Sequence, residues 1–155
     1  MSEVTIRQGK PADLPDIIVM ASSSDSAAHW TEQDYGHIFS SPRTLLVAEG
    51  QGVILGFVVA FDVAGEWELE NIVVALGHRQ RGIAQRLMKK LIEEAQSAAA
   101  KFIFLEVRES NFVAKRLYES CGFQPCGRRP AYYANPSEDA VLYRFQCTPK
   151  SLENC

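Results

Sequence analysis

Long hydrophobic runs are missing from this 155-residue sequence, and its net charge is small. No stretch approaches the roughly 20 apolar residues of a membrane-spanning helix, and the opening MSEVTIRQGK lacks the apolar core of a signal peptide. A formal net charge of −3 argues against a nucleic-acid-binding protein held by phosphate contacts. The length suits one domain, predicted over residues 1–147 with a polar tail at 148–155, in a cytoplasmic protein.

Cysteine motifs and the two common nucleotide-binding motifs are also absent. Cys121, Cys126, Cys147 and Cys155 form no CxxC pair and have no adjoining histidines at zinc-ligand spacing, so no metal site is predicted. The sequence contains neither G-x-x-x-x-G-K-[ST] nor G-x-G-x-x-G. These absences argue against a nucleoside triphosphatase and against a dinucleotide-binding fold.

The hydrophobic pattern that is present predicts one α/β unit without repeats or linkers. Three helices are predicted from apolar periodicity at residues 10–21, at 82 to about 99, and within ESNFVAKRLYESCGF, and a short one after the polar loop that contains Trp30. The predicted strands are VTIRQ, RTLLVAEG, GVILGFVVAFDV, EWELENIVVA, KFIFLEV and DAVLYRF. EGQG marks a hairpin between the second and third strands.

A basic loop, HRQRGIAQRL at residues 78–87, follows the fourth strand and opens a helix. Cations are unfavourable at a helix N-terminus unless an anion lies opposite them, because the macrodipole is already positive there. Gly82 allows the backbone to approach a ligand closely, and the N–H groups at the helix start can bind a pyrophosphate. The loop therefore predicts an anion site, with a solvated helix end as the alternative.

The loop Arg79-x-x-Gly82-x-Ala84 and the later helix pattern N-x-x-A-x-x-L-Y resemble the GNAT N-acetyltransferases. The resemblance implies a single-domain α/β (α+β) fold, in which helices flank a mixed, mostly antiparallel central sheet. The central strands of this sheet splay apart and hold CoA. Within the family the chain is most similar to the RimI-like N-acetyltransferases of ribosomal proteins, through HWTEQDY, LENIVVA, LEVRESNFVAKRLYESCGF and RRPAYYANPSEDA. It departs in having His29 where the family usually has Pro, and Ala84 where it usually has Gly.

By this resemblance the cosubstrate is acetyl-CoA, and no metal is required. The loop would bind the pyrophosphate, and the main chain from Ile72 to Val74 would pair with pantetheine and supply N–H groups to the oxyanion. Asn111 is also the predicted N-cap of its helix. The implied cofactor-binding residues are Ile72, Val73, Val74, Arg79, Gln80, Arg81, Gly82, Ile83, Ala84 and Asn111.

Two residues are the candidates for proton transfer. Glu106 interrupts the apolar FIFLEV near the carboxyl end of a central strand, where open α/β sheets place ligands, and it matches the family's catalytic glutamate. Tyr118 matches the tyrosine that protonates the departing thiolate. From the residues alone, Glu106 is equally well a structural carboxylate bound to Arg108 or a helix N-terminus, and Tyr118 a core residue.

The acceptor site is predicted from Trp30, Glu70, Tyr132 and Tyr133. The resemblance implies that the tyrosine pair, in a loop between the last two strands, clamps a peptide, while cross-strand packing explains it equally well. Glu68 and Glu70 line either an acceptor groove or an exposed strand face. The predicted acceptor is a protein N-terminal amine, with a ribosomal protein as the candidate. The alternatives are a small-amine acetyltransferase and a non-catalytic CoA-binding module.

Overall fold

A computed structural model describes residues 3–24, 27–28 and 30–147 of the chain. His29 and the predicted tail at 148–155 lie outside these residues. The described strands are β1 Val4–Gln8, β2 Arg43–Gly50, β3 Val53–Val63, β4 Glu66–Val74, β5 Phe102–Arg108, β6 Gln124–Tyr133 and β7 Glu138–Gln146. The described α-helices are α1 Leu14–Ser22, α2 Glu32–Gly36, α3 Ile83–Ser97 and α4 Phe112–Ser120, with short 3-10 turns at Pro11–Asp13 and His37–Ser40. None of these helices is long and apolar enough to cross a membrane.

The described strands form one mixed sheet in the order β1-β2-β3-β4-β5-β7-β6. Among the described strands only the β4–β5 pair is parallel, which confirms the predicted mixed and mostly antiparallel sheet. The EGQG hairpin is also confirmed, since Gln51 and Gly52 connect β2 to β3 with φ angles of 53° and 75°. Positive φ at both central residues matches the right-handed twist of the two strands.

The core lies in two layers, one on each face of the sheet. Leu87, Met88, Leu91 and Ala95 of α3 are fully buried against one face, as the apolar rows of the sequence predict. Helix α4 covers the same face, which we call the α3 face. Helices α1 and α2 pack on the opposite face, the α1 face, where they bury Ile17, Ala21 and Tyr35.

The sheet opens between its two central strands. The parallel pairing of β4 with β5 covers only Glu66–Glu68 and Phe102–Phe104, after which no pairs between the two strands follow in the described residues. A bulge in β4 opposite Val59 and Ala60 leaves Glu70 without a partner on β3 and bends the strand there. The predicted splay is thus confirmed. Helices α3 and α4 follow β4 and β5, so both helices begin at the open end of this split.

Strand β6 corrects the predicted topology. Its residues include Tyr132 and Tyr133, which the sequence placed in a loop. The strand is a sheet edge with almost every residue exposed, and its register with β7 shifts near Gly127 and again between Arg129 and Tyr133. An exposed, twice-shifted strand has no alternation of apolar and polar residues, so its sequence gives no strand signal.

Candidate active site

The β4–α3 loop has the backbone form of an anion site. Gly82 is the N-cap of α3 with a φ of 77°, and no side chain of the described residues caps this helix end. A Cβ at Gly82 would meet only Gln85 Oε1, at 4.0 Å, so the left-handed φ rather than close packing favours glycine. The first N–H groups of α3, including those of Ile83 and Ala84, have no partner within the helix and are available to phosphate oxygens.

The basic side chains surround this loop rather than converge on one point. Arg79 donates from Nε to the Val74 carbonyl at 3.3 Å, and Arg86 donates to the Val4 carbonyl at 2.7 Å. Arg79 lines a cavity of about 500 Å³ beside α1. Arg81, Arg86 and His78 line another of about 360 Å³ beside the β2–β3 turn. A diphosphate on the loop amides would therefore have guanidinium groups on two sides.

The predicted pantetheine segment lies on the strand that borders the split. Val73 is buried on the α1 face, whereas Ile72 and Val74 are half-buried against the core of the α3 face. Ile83 is also a core residue. Because the side chains of Val73 and Ile83 are committed to the core, only their main-chain groups can serve a cofactor.

Glu106 lies on the α1 face, because its neighbours Leu105 and Val107 are buried on the α3 face. Its Oε1 is 3.0 Å from Nε of Arg129, and its side chain is 20% exposed. Hydrogen bonding to Glu106 also raises the pKa of Tyr132.

The ion pair between Glu106 and Arg108, which the sequence left open as a structural role for Glu106, is not formed between these two described residues. Arg108 instead pairs with Glu138 at 3.2 Å and stacks over the Tyr133 ring at 4.4 Å. Burial, followed by the charge of Glu106, raises the pKa of Tyr133. Both tyrosines of the predicted clamp therefore lie within electrostatic reach of Glu106.

Three carboxylates of the α1 face lie close together. Burial and the charges of Glu106 and Glu70 raise the pKa of Glu68. Glu70 is bound by Arg43 at 2.6 and 3.1 Å, and Glu106 by Arg129. Glu68 has no ion pair among the described residues, so it is the member of the trio that can accept a cationic group.

Arg43 connects the two acceptor residues that were predicted on separate elements. Its guanidinium carbon lies 5.6 Å from the Trp30 ring centroid and 4.4 Å from that of Phe61, while its nitrogens bind Glu70. Trp30 also packs on Tyr35, with ring centroids 5.1 Å apart. Trp30 and Glu70 thus lie on the same side of the predicted acceptor site, where the charge of Glu70 is already balanced by Arg43.

Tyr118 and Asn111 come from α4. Tyr118 is only 6% exposed and packs between Phe123 and Tyr143, with ring centroids 6.0 and 6.4 Å away. Burial raises the pKa of Tyr118, so its phenol is protonated at neutral pH. Asn111 Oδ1 accepts the Ala114 N–H at 3.1 Å, which confirms the predicted cap.

The sequence analysis did not identify three residues of the site, which are Arg129, Arg43 and Asn71. Asn71 is 4% exposed and accepts the Ala28 N–H at 3.2 Å, and its amide donates to the Tyr35 hydroxyl at 3.4 Å. The sequence marks Asn71 only as a polar residue at the start of the apolar segment NIVV. The described residues contain no group of three or more His, Cys, Asp or Glu side chains placed to hold a metal ion.

The sheet opens between its parallel strands, with a helix start that can bind phosphate on one border and the carboxylate of Glu106 on the other, an arrangement suited to transferring a group from a phosphorylated carrier. The family model described as "Acetyltransferase (GNAT) family" matches residues 14–123, and the chain belongs to this family. It is therefore an acetyl-CoA-dependent N-acetyltransferase.

Relatives from bacteria cover nearly the same length. The chain is 31% identical over 138 residues to the ribosomal protein bS18-alanine N-acetyltransferase of Salmonella typhimurium, covering 81% of this chain and 93% of that protein. The protein of the same name from Escherichia coli K12 is 29% identical over 143 residues, covering 89% and 94%. The crystal structure of the Escherichia coli ribosomal-protein-S18-alanine N-acetyltransferase superposes with a TM-score of 0.85 at 26% identity, covering 95% and 96%.

Proposed function

We propose that this enzyme transfers acetyl from acetyl-CoA to the N-terminal α-amine of a protein, with a ribosomal protein as the favoured acceptor. The observation that carries the proposal is the placement of Glu106 and Tyr118. Glu106 lies on the α1 face of β5, beyond the point where β5 separates from β4, and Tyr118 lies on the α3 face, in the helix that follows β5. An amine that enters from the α1 face and a thioester that enters from the α3 face meet in this opening. The names of the bacterial relatives support the acceptor class.

The loop and β4 are proposed to hold the cosubstrate. The main-chain amides from Gln80 to Ala84 bind the pyrophosphate, with Arg79 and Arg81 on either side. The main chain of Ile72–Val74 pairs with pantetheine along the border of the split. An N–H group of this segment also stabilises the oxyanion. Asn111, at the start of α4, contacts the cosubstrate from the other border.

The chemistry proposed is direct attack without an acyl-enzyme. Glu106 first takes the proton that the substrate ammonium must lose, directly or through water, and passes it to solvent. The neutral amine nitrogen then bonds to the thioester carbonyl carbon, the C–S bond breaks, and the second proton on nitrogen leaves through the same carboxylate. Tyr118 gives its phenolic proton to the thiolate as the C–S bond breaks. Because a phenol of pKa about 10 is a weaker acid than a thiol near 8.5, this transfer is uphill and requires the phenol to be held against the sulfur, with the phenolate then taking a proton from solvent. Solvent then restores both protonation states.

The acceptor chain is proposed to lie on the α1 face between two aromatic walls. Trp30 borders one side, and Tyr132 and Tyr133 of β6 border the other. Glu68, which has no ion pair among the described residues, binds the substrate ammonium before the ammonium loses its proton. Glu70 holds Arg43, and through it the Trp30 side of the site, in place.

Turnover on matched peptides tests the proposed acceptor. A short peptide with a free N-terminal alanine should be acetylated, and the same peptide with a blocked N-terminus should not, as measured by thiol release and mass spectrometry. The attachment site should be the α-nitrogen. Acetylation of small amines alone would contradict the proposal, and mass spectrometry of ribosomal proteins with and without the enzyme would identify the physiological acceptor.

Charge reversal at Arg79 tests the phosphate site. Arg79→Glu should raise the KM for acetyl-CoA by about tenfold, equivalent to about 1.4 kcal/mol, and leave the peptide KM nearly unchanged. Lys89→Glu, the same charge change at an exposed position on α3, is the matched control and should change the KM for acetyl-CoA far less. Equal effects of the two substitutions would show that acetyl-CoA binding responds only to the overall charge of the protein, and the proposed phosphate contact at Arg79 would be wrong.

A further inference from the structure

Arg129 reaches Glu106 across an intervening strand. Arg129 of β6 is opposite Ala140 of β7, which is itself opposite Arg108 of β5. Residues directly opposite one another in a sheet project from the same face. Ala140 carries only a methyl group, so the long Arg129 side chain can pass over β7 and bring Nε to 3.0 Å from Glu106 Oε1.

The β6–β7 hairpin does not depend on this contact. Arg128 pairs with Glu109 at 2.8 Å and with Asp139 at 3.1 Å, and Asp139 also accepts the Ala131 N–H at 2.9 Å. The Arg129 side chain is 57% exposed, and exposed ion pairs contribute little to folding. The hairpin is held by the pairing of β6 with β7 and by the Asp139 bond to the Ala131 N–H, whereas Arg129 is directed at the candidate base.

Arg129 is the cation that contacts Glu106 among the described residues. Tyr132, whose ring centroid is 5.6 Å from the Arg129 guanidinium carbon, also approaches this carboxylate from the same strand, because Glu106 raises the pKa of Tyr132. The other cation near it, Arg108, is committed to Glu138. Edge strand β6 therefore carries both groups that fix Glu106.

We propose that Arg129 is a positioning residue that holds Oε1 of Glu106 and so presents Oε2 to the acceptor amine. The inference rests on the proposed function of Glu106 as proton acceptor. In the reaction Oε2 takes the proton that the substrate ammonium loses on becoming the attacking amine, while the Arg129 contact to Oε1 persists. Arg129 itself neither gains nor loses a proton.

A double-mutant cycle between Glu106 and Arg129 tests this role. Arg129→Gln should lower kcat by about 10- to 100-fold, the cost of misplacing a reacting group, without changing the KM for acetyl-CoA. Arg129→Lys should recover most of the loss because it restores the cation. In the Glu106→Gln background, Arg129→Gln should cause little further loss, since a residue that acts through Glu106 has nothing left to position.

Arg128→Gln is the matched control, being the same substitution on the neighbouring residue. Both substitutions should change the melting temperature little, because both arginine side chains are largely exposed, and only Arg129→Gln should lower kcat. Should Arg129→Gln fail to fold, Arg129→Ala assayed with added guanidinium ion carries the same test, and recovery of rate supports the role.

Two failures are distinguishable in this experiment. If Glu106→Gln alone keeps full activity, the proposed base is wrong. If Glu106→Gln is slow but Arg129→Gln is fully active, or its loss multiplies with that of Glu106→Gln, the base stands and the positioning role is overturned.

Discussion

Glu106→Gln is expected to lower kcat on a peptide acceptor by about 10²–10⁴-fold at neutral pH, the usual contribution of a general base. The amide is nearly the same size as the carboxylate, and its oxygen can still lie against the Arg129 guanidinium, which now pairs with Glu106 at 3.0 Å. What it cannot do is take a proton from the amine. The fold and the binding of acetyl-CoA should therefore be preserved, and the loss should appear in initial rates at saturating acetyl-CoA.

The pH dependence of this deficit identifies its cause. An α-amine has a pKa of about 8, so near pH 7 only about a tenth of it is neutral, and the neutral fraction rises with pH. The deficit of Glu106→Gln should shrink in alkaline buffer, because the amine then deprotonates without the enzyme's help. Glu109→Gln, three residues along the chain and bound to Arg128 instead, is the control that should keep wild-type kcat. A deficit constant with pH would point to misfolding or misplacement instead.

The sequence predicts best those parts of the molecule whose residues are contiguous. The apolar rows of α3, the EGQG turn and the Asn111 cap all arise from local patterns, and the structure contains each of them. The basic loop with Gly82 is of the same kind, because its φ and its position before α3 follow from about six residues. Contiguous motifs also carried the resemblance that led to the family.

The parts that escaped prediction depend on register between distant strands. Arg129 meets Glu106 because β6 is added outside β7 and the register shift near Gly127 places Arg129 opposite Ala140. Arg43 meets Glu70 because a bulge in β4 leaves Glu70 out of the β3 pairing. Bulges and edge strands leave no hydrophobic periodicity to read, so neither contact has a signal in the linear sequence.

Tyr118→Phe is expected to lower kcat by about 10²-fold, because the departing thiolate would lose its proton donor. Burial keeps the pKa of this phenol above its ordinary value, so the donor form is present throughout the neutral and mildly alkaline range. Raising the pH should therefore not erase the deficit as the amine deprotonates, in contrast to Glu106→Gln. Phenylalanine fills the same space between Phe123 and Tyr143, so the stability cost should be small.

Tyr143→Phe is the matched control within the same aromatic cluster. The Tyr143 hydroxyl donates to Glu119 at 2.6 Å, and burial together with this bond raises the pKa of Tyr143 to about 12. Its removal should cost about 1 kcal/mol of unfolding free energy and leave kcat nearly intact, since this hydroxyl is committed to structure. Urea unfolding and steady-state kinetics on both variants should thus dissociate stability from turnover. If Tyr118→Phe lost stability but not kcat, its hydroxyl would be a core group and the proton would reach the thiolate from solvent.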